Sequence, residues 1–98
     1  MNKINVEDNY KVIGQVTIDD YDEKSCAMPT SRLLDGSRDY GYDAEYVGFG
    51  TINLNGETIS VRAVYLFTKE EMNDPVVIEG DEGALPWETS LIRFEVIN

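Results

Sequence analysis

The chain has 98 residues, 19 acidic and 8 basic, no His and one Cys, for a formal charge of −11. That length allows one domain, and its 42% of apolar residues is enough for a small core and argues against wholesale disorder. The missing His removes the commonest general base and metal ligand, and one Cys permits neither an intrachain disulfide nor a Cys-based zinc site.

The first eight or so residues carry no clear periodicity and are expected to be a flexible end of a single globular domain, 1–98. They contain no apolar segment of the kind a secretion signal needs, and no apolar run approaches the ~20 residues of a membrane span. The expected setting is the cytoplasm, or the host cell cytoplasm if the protein is viral. Tyr10 to Ile18 alternates with period two, which predicts a strand with Tyr10, Val12, Val16 and Ile18 on one face. The acidic group Asp19, Asp20, Asp22 and Glu23 should end it, because Asp favours turns.

Residues 24–45 resist assignment. Met28-Pro29 breaks any strand, Ser31 to Leu34 suits a short helix or turn, and a compact domain seldom keeps so long a structureless loop. Next comes the clearest unit, a hairpin over 46–54 and 57–67 closed by Asn55-Gly56, a dipeptide that favours a type I′ turn. A two-residue loop fixes the register. Leu54 faces Glu57, Ile52 faces Ile59, Gly50 faces Val61, Gly48 faces Ala63 and Tyr46 faces Tyr65. The opposite face is polar near the turn and apolar at the far end, where Val47 meets Val64. Gly48 and Gly50 leave room for something to pack across the strands.

Thr68-Lys69-Glu70-Glu71 has the spacing of a capping box and predicts a short helix over 69–73, stopped by Asn73-Asp74-Pro75. Val76 to Ile78 reads as a short strand, Glu79 to Gly83 as a polar loop, and Leu85 to Glu88 as a turn or one helical turn. The last strand, Leu91 to Ile97, should point Ile92, Phe94 and Val96 inward. About five strands with one short helix, and no strand–long helix–strand unit, predict a mainly β fold: one small antiparallel sheet curled toward a barrel or sandwich.

Eight basic residues stand singly along the chain, so no basic stripe exists to neutralise a nucleic-acid backbone or an anionic membrane. Asp39 to Glu45 fails the EF-hand pattern at its third, sixth and twelfth positions. Asp19 to Glu23 could gather a hard cation only weakly. Cys26 has no His to activate it, and the phosphate-cradling glycine motifs are absent. Paired carboxylates are abundant, but a chain this small rarely walls off a sugar cleft. We therefore expect no enzyme activity, no cofactor and no metal.

The acidity itself is informative because it clusters. Asp19, Asp20, Asp22 and Glu23 form one group. Residues 69–88 hold seven acids, among them Glu70, Glu71, Asp74, Glu79, Asp81 and Glu82, against Lys69 alone. Carboxylates on a rigid sheet can pair with Arg as phosphates do, and charge steers association. These ten residues are the expected contact set for a basic protein partner, one that processes nucleic acid. In charge and size, though in no residue motif, the chain resembles small acidic phage inhibitors of restriction or CRISPR enzymes and nuclease immunity proteins. The alternative is a structural or accessory subunit, as in a virion, that pairs or self-associates through exposed sheet edges.

Overall fold

A computed structural model describes residues 3–26, 43–78 and 84–97. The fold is mainly β, one open mixed sheet of six strands with a few short helices. In chain order the strands are β1 Ile4–Asp8, β2 Lys11–Val16, β3 Tyr21–Cys26, β4 Ala44–Leu54, β5 Glu57–Phe67 and β6 Leu91–Val96. Their spatial order is β2-β1-β6-β5-β4-β3. All neighbours are antiparallel except β1 and β6, which run parallel with Val6 beside Phe94.

β4 and β5 form the expected hairpin, with every anticipated pair in place from Leu54↔Glu57 to Tyr46↔Tyr65. Asn55 and Gly56 have φ of 52° and 84°, as a type I′ turn requires, and the Asn53 side chain accepts a hydrogen bond from Gly56 N–H. Alternation along these strands sends Ala44, Tyr46, Ile52, Val61, Ala63, Tyr65 and Phe67 to one face. There they join Ile4, Val6, Val16, Leu91 and Phe94 in the core. Trp87 stands edge-on against Tyr46, Tyr65 and Phe67, with centroids 4.8–5.1 Å apart. It covers this inner face, not the outer Val47–Val64 patch.

The outer strands β2 and β3 are consecutive in sequence, joined by Thr17 and a 3-10 turn, Ile18–Asp20. Five residue steps reach at most ~18 Å, whereas the edges of a flat six-stranded sheet lie ~24 Å apart. The sheet must bend to let this connection close, and Gly14 of β2 accordingly sits against the Leu54 side chain of β4. β2 and β3 form no ladder with each other, so closure into a barrel does not occur.

Four sequence expectations are corrected. Ile4–Asp8 is a strand, with Ile4 and Val6 buried, where a flexible end was expected. Its signal was hidden because only alternate residues of a five-residue segment are apolar. β2 starts at Lys11; Tyr10 lies in the β1–β2 turn, 98% exposed, and Val12 is also exposed. The acidic group divides: Asp19 and Asp20 lie in the 3-10 turn after β2, as expected, but Asp22 and Glu23 belong to a further strand, β3 Tyr21–Cys26, that was not expected. Val76 and its neighbours are helical, in α2 Pro75–Ile78, following α1 Lys69–Met72. Pro75 supplies a first-turn residue with no N–H to satisfy, and Asp74 accepts from Val76 N–H.

In β6 the expected alternation is broken. A bulge between Val64 and Tyr65 pairs Val64 with Arg93 but Tyr65 with Leu91. The extra residue, Ile92, turns outward and is 44% exposed, while Leu91 and Phe94 go inward. α1 carries the predicted capping box, Thr68 Oγ1 accepting from Glu71 N–H and Glu71 accepting from Thr68 N–H. α3 Trp87–Ser90 is the expected single turn.

Candidate functional site

Of the ten acidic residues expected to meet a partner, seven are described; Glu79, Asp81 and Glu82 lie outside the described residues, as do Ser31–Leu34, Tyr40 and Tyr42. The seven fall into two groups. Asp19 and Asp20 occupy the 3-10 turn, and Asp22 and Glu23 lie on β3, which pairs with β4 and is the outermost strand on that side among the described residues. Glu70 and Glu71 are on α1, and Asp74 links it to α2. β3 begins opposite Ile52, whereas α1 follows Phe67, which pairs with Ala44. Eight residues of strand separate those positions, about 26 Å at the usual rise. The two groups therefore sit toward opposite ends of the hairpin and form no common patch.

Several of these acids also serve the local backbone. Asp20 accepts from Thr17 N–H and Oγ1–H, Asp22 pairs with Lys24, and Glu71 and Asp74 take the helix-start roles described above. Asp19 and Glu70 are exposed and take no such part among the described residues. Lys24 apart, no cation pairs with Asp19, Asp20 or Asp22 among the described residues.

Glu23 is the exception in direction. A bulge between Glu23 and Ser25 shifts the β3–β4 register. Tyr21 pairs with Ile52 and Glu23 with Gly50, so both side chains turn to the inner face. They fill the space that Gly48 and Gly50 leave open. A methyl group at Gly48 would strike Glu23 Oε1 and lie 3.1 Å from the Tyr21 hydroxyl; one at Gly50 would strike the backbone of Asp22 and Glu23. Across this glycine floor the Tyr21 ring reaches Phe94 of β6, centroids 5.0 Å apart. Glu23 Oε1 accepts hydrogen bonds from the hydroxyls of Tyr65 (3.3 Å) and Tyr21 (3.4 Å).

The result is a cleft of about 220 Å³ lined by Ile18, Tyr21, Glu23, Tyr65, Trp87 and Glu88. Three aromatic rings wall it and two carboxylates stand in it. Among the described residues, no Lys or Arg lines it. Tyr65 and Glu88 escape sequence reasoning, Tyr65 because its position reads as hairpin core, Glu88 because it is one acid among many. The pair of glycines opposite Val61 and Ala63 is the signal that something crosses the strands there.

On the outer face, Glu95 bridges Arg93 Nε (2.7 Å) and Arg62 Nη1 (3.2 Å). The hydrogen bond from Arg93 chiefly, with Arg62 adding, holds the Glu95 carboxyl below the usual range, and the same bond raises Arg93. Arg62 also lies 6.0 Å from the Phe49 ring centre. Two of the basic residues are thus occupied internally. Among the described residues, no three His, Cys, Asp or Glu side chains converge as metal ligands, and no helix is long and apolar enough to cross a membrane. No family model, curated protein or solved structure matches the chain.

Proposed function

We propose that this protein is a small acidic binding or inhibitor protein whose β3 edge engages a basic surface of a protein partner, one that normally holds nucleic acid. The observation that carries the reading is the exposure of Asp19 and Asp20 in the 3-10 turn and of Asp22 on β3, the outermost strand on that side of the sheet among the described residues. Carboxylates fixed this way can accept from Arg and Lys in place of phosphates, and the overall charge of −11 steers the encounter. Glu70, Glu71 and Asp74 form a second acidic patch, too distant to touch the same few basic side chains. An acidic edge strand also resists edge-to-edge pairing, and that plainer role is compatible with the first. In this reading the protein acts in the cytoplasm, and in the host's if it is viral.

Charge reversal tests the edge. Asp19→Lys with Asp22→Lys should abolish capture of the partner, whereas Glu70→Lys on α1 should weaken it less. Equal effects, or none, would overturn the assignment to β3.

One observation favours a second reading, a subunit that pairs through the opposite edge. β2 exposes Val12 and Ile13, 57% and 47%, on a strand with no neighbour on its outer side among the described residues. Association driven by that edge would tolerate salt, because apolar burial is not screened.

A further inference from the structure

We propose that the cleft between β3, β5 and α3 is a socket for a single arginine side chain of the partner. The proposal rests on the reading of the protein as a binder of a basic surface and names the residue that surface must offer.

Size comes first. About 220 Å³ falls below the ~300–1,000 Å³ of sites that enclose drug-sized ligands, so a nucleotide or a sugar chain does not fit, and one long side chain does. Charge comes second. Glu23 and Glu88 line the cleft, and neither makes an ion pair among the described residues. An anion is repelled there, and a neutral group would leave both carboxylates without a counter-charge. A cation is the complementary guest.

Shape and orientation then select among cations. Tyr21 and Trp87, both partly exposed, line the cleft beside the buried Tyr65, and the guanidinium plane stacks on such rings while its edge donates to carboxylates. Glu23 is suited to receive it. Its Oε1 is held by two tyrosine hydroxyls, which fixes the group and leaves Oε2 for the guest. The glycines beneath explain why the carboxylate stands there at all, since any side chain at Gly48 would displace it. A lysine ammonium could enter, but it neither stacks nor forks between two carboxylates.

Trp87 is the only Trp in the chain, so its fluorescence reports the cleft directly. The full-length protein is titrated with the capped peptide acetyl-Gly-Arg-Gly-amide, its Lys counterpart, and its citrulline counterpart, which keeps the shape but not the charge. The expected result is a saturable change with the Arg peptide and binding about tenfold weaker for citrulline, the loss of one charge-assisted contact. Glu23→Gln, which still accepts from both tyrosines, and Glu88→Gln should each weaken the Arg peptide several-fold. The indole N–H resonance of Trp87 should move in the same titration of the unaltered protein, so the test stands even if a variant folds poorly. Equal responses to Arg and citrulline, preference for Lys, or no saturable change would overturn the socket. Absence of peptide binding alongside intact, salt-sensitive capture of a partner overturns only the socket. Saturable peptide binding without such capture overturns only the β3-edge reading.

Discussion

Gly48 and Gly50 are defined by what lies over them. Both floor the crossing of Tyr21 and Glu23, but the obstacles differ. At Gly48 a new methyl meets the end of the Glu23 side chain, which can swing away. At Gly50 it meets the backbone of β3, which cannot move without breaking the ladder. Gly48→Ala should therefore cost about 1 kcal/mol and Gly50→Ala about 3 kcal/mol, the span usual for overpacking, measured by urea denaturation. Gly48→Ala should also perturb Trp87 fluorescence through the displaced carboxylate. Glu95 gives a second prediction. Its carboxyl is held low by Arg93 and Arg62, so its contribution is present above the ordinary carboxyl value of 4.5 and fades as pH falls through the lower folded value. Glu95→Gln should thus reduce stability at neutral pH, by under about 1 kcal/mol for a partly exposed pair. That deficit should vanish in acid. A deficit that persists below pH 3, roughly a unit and more under the ordinary value, would mean that packing, not charge, is lost.

The elements differ in how far the sequence reveals them, and the reason is physical. The β4–β5 hairpin is legible to single-pair accuracy because Asn55-Gly56 fixes the turn and strict alternation fixes the face. The α1 capping box is legible because both partners lie within one turn. The bulges at Ile92 and Lys24 are not, because each depends on a neighbouring strand that local periodicity does not contain. Glu23 points inward by plain alternation with Tyr21, but that face is not legible until β3 is known to pair with β4, so the sequence shows the candidate site only as acids and a glycine gap. β3 itself was hidden by carboxylates that disfavour a strand in isolation but suit an edge with one side in water. The β1–β2 turn repeats the β4–β5 turn with a different residue. Asn9 and Tyr10 have φ of 51° and 67°, and a tyrosine in that left-handed region is disfavoured by ~1–2 kcal/mol. The side chain is 98% exposed and returns almost no burial. Tyr10→Gly should accordingly stabilise the protein by about 1 kcal/mol, seen as a rise in Tm of roughly 4–8 °C for a chain this size.

At the scale of the whole molecule, charge dominates. With a formal charge of −11 on 98 residues, self-repulsion opposes the compact state. Raising NaCl from about 0.02 M to 0.5 M shortens the screening length severalfold and should raise Tm, while weakening any partner held by the acidic edge. Opposite responses of folding and binding to the same salt are expected if exposed carboxylates hold a basic partner. A protein that pairs through its apolar β2 edge would show both rising together.

The most direct test of the β3 edge as a stand-in for phosphates is competition. The immobilised protein is exposed to a cell extract, washed in salt steps, and the retained protein is then challenged with double-stranded DNA and with RNA. The expected capture is a nucleic-acid-processing protein that moderate salt releases, nucleic acid displaces, and the Asp19→Lys, Asp22→Lys variant fails to hold. Retention that withstands both salt and nucleic acid, or retention only of further copies of this chain, would contradict it.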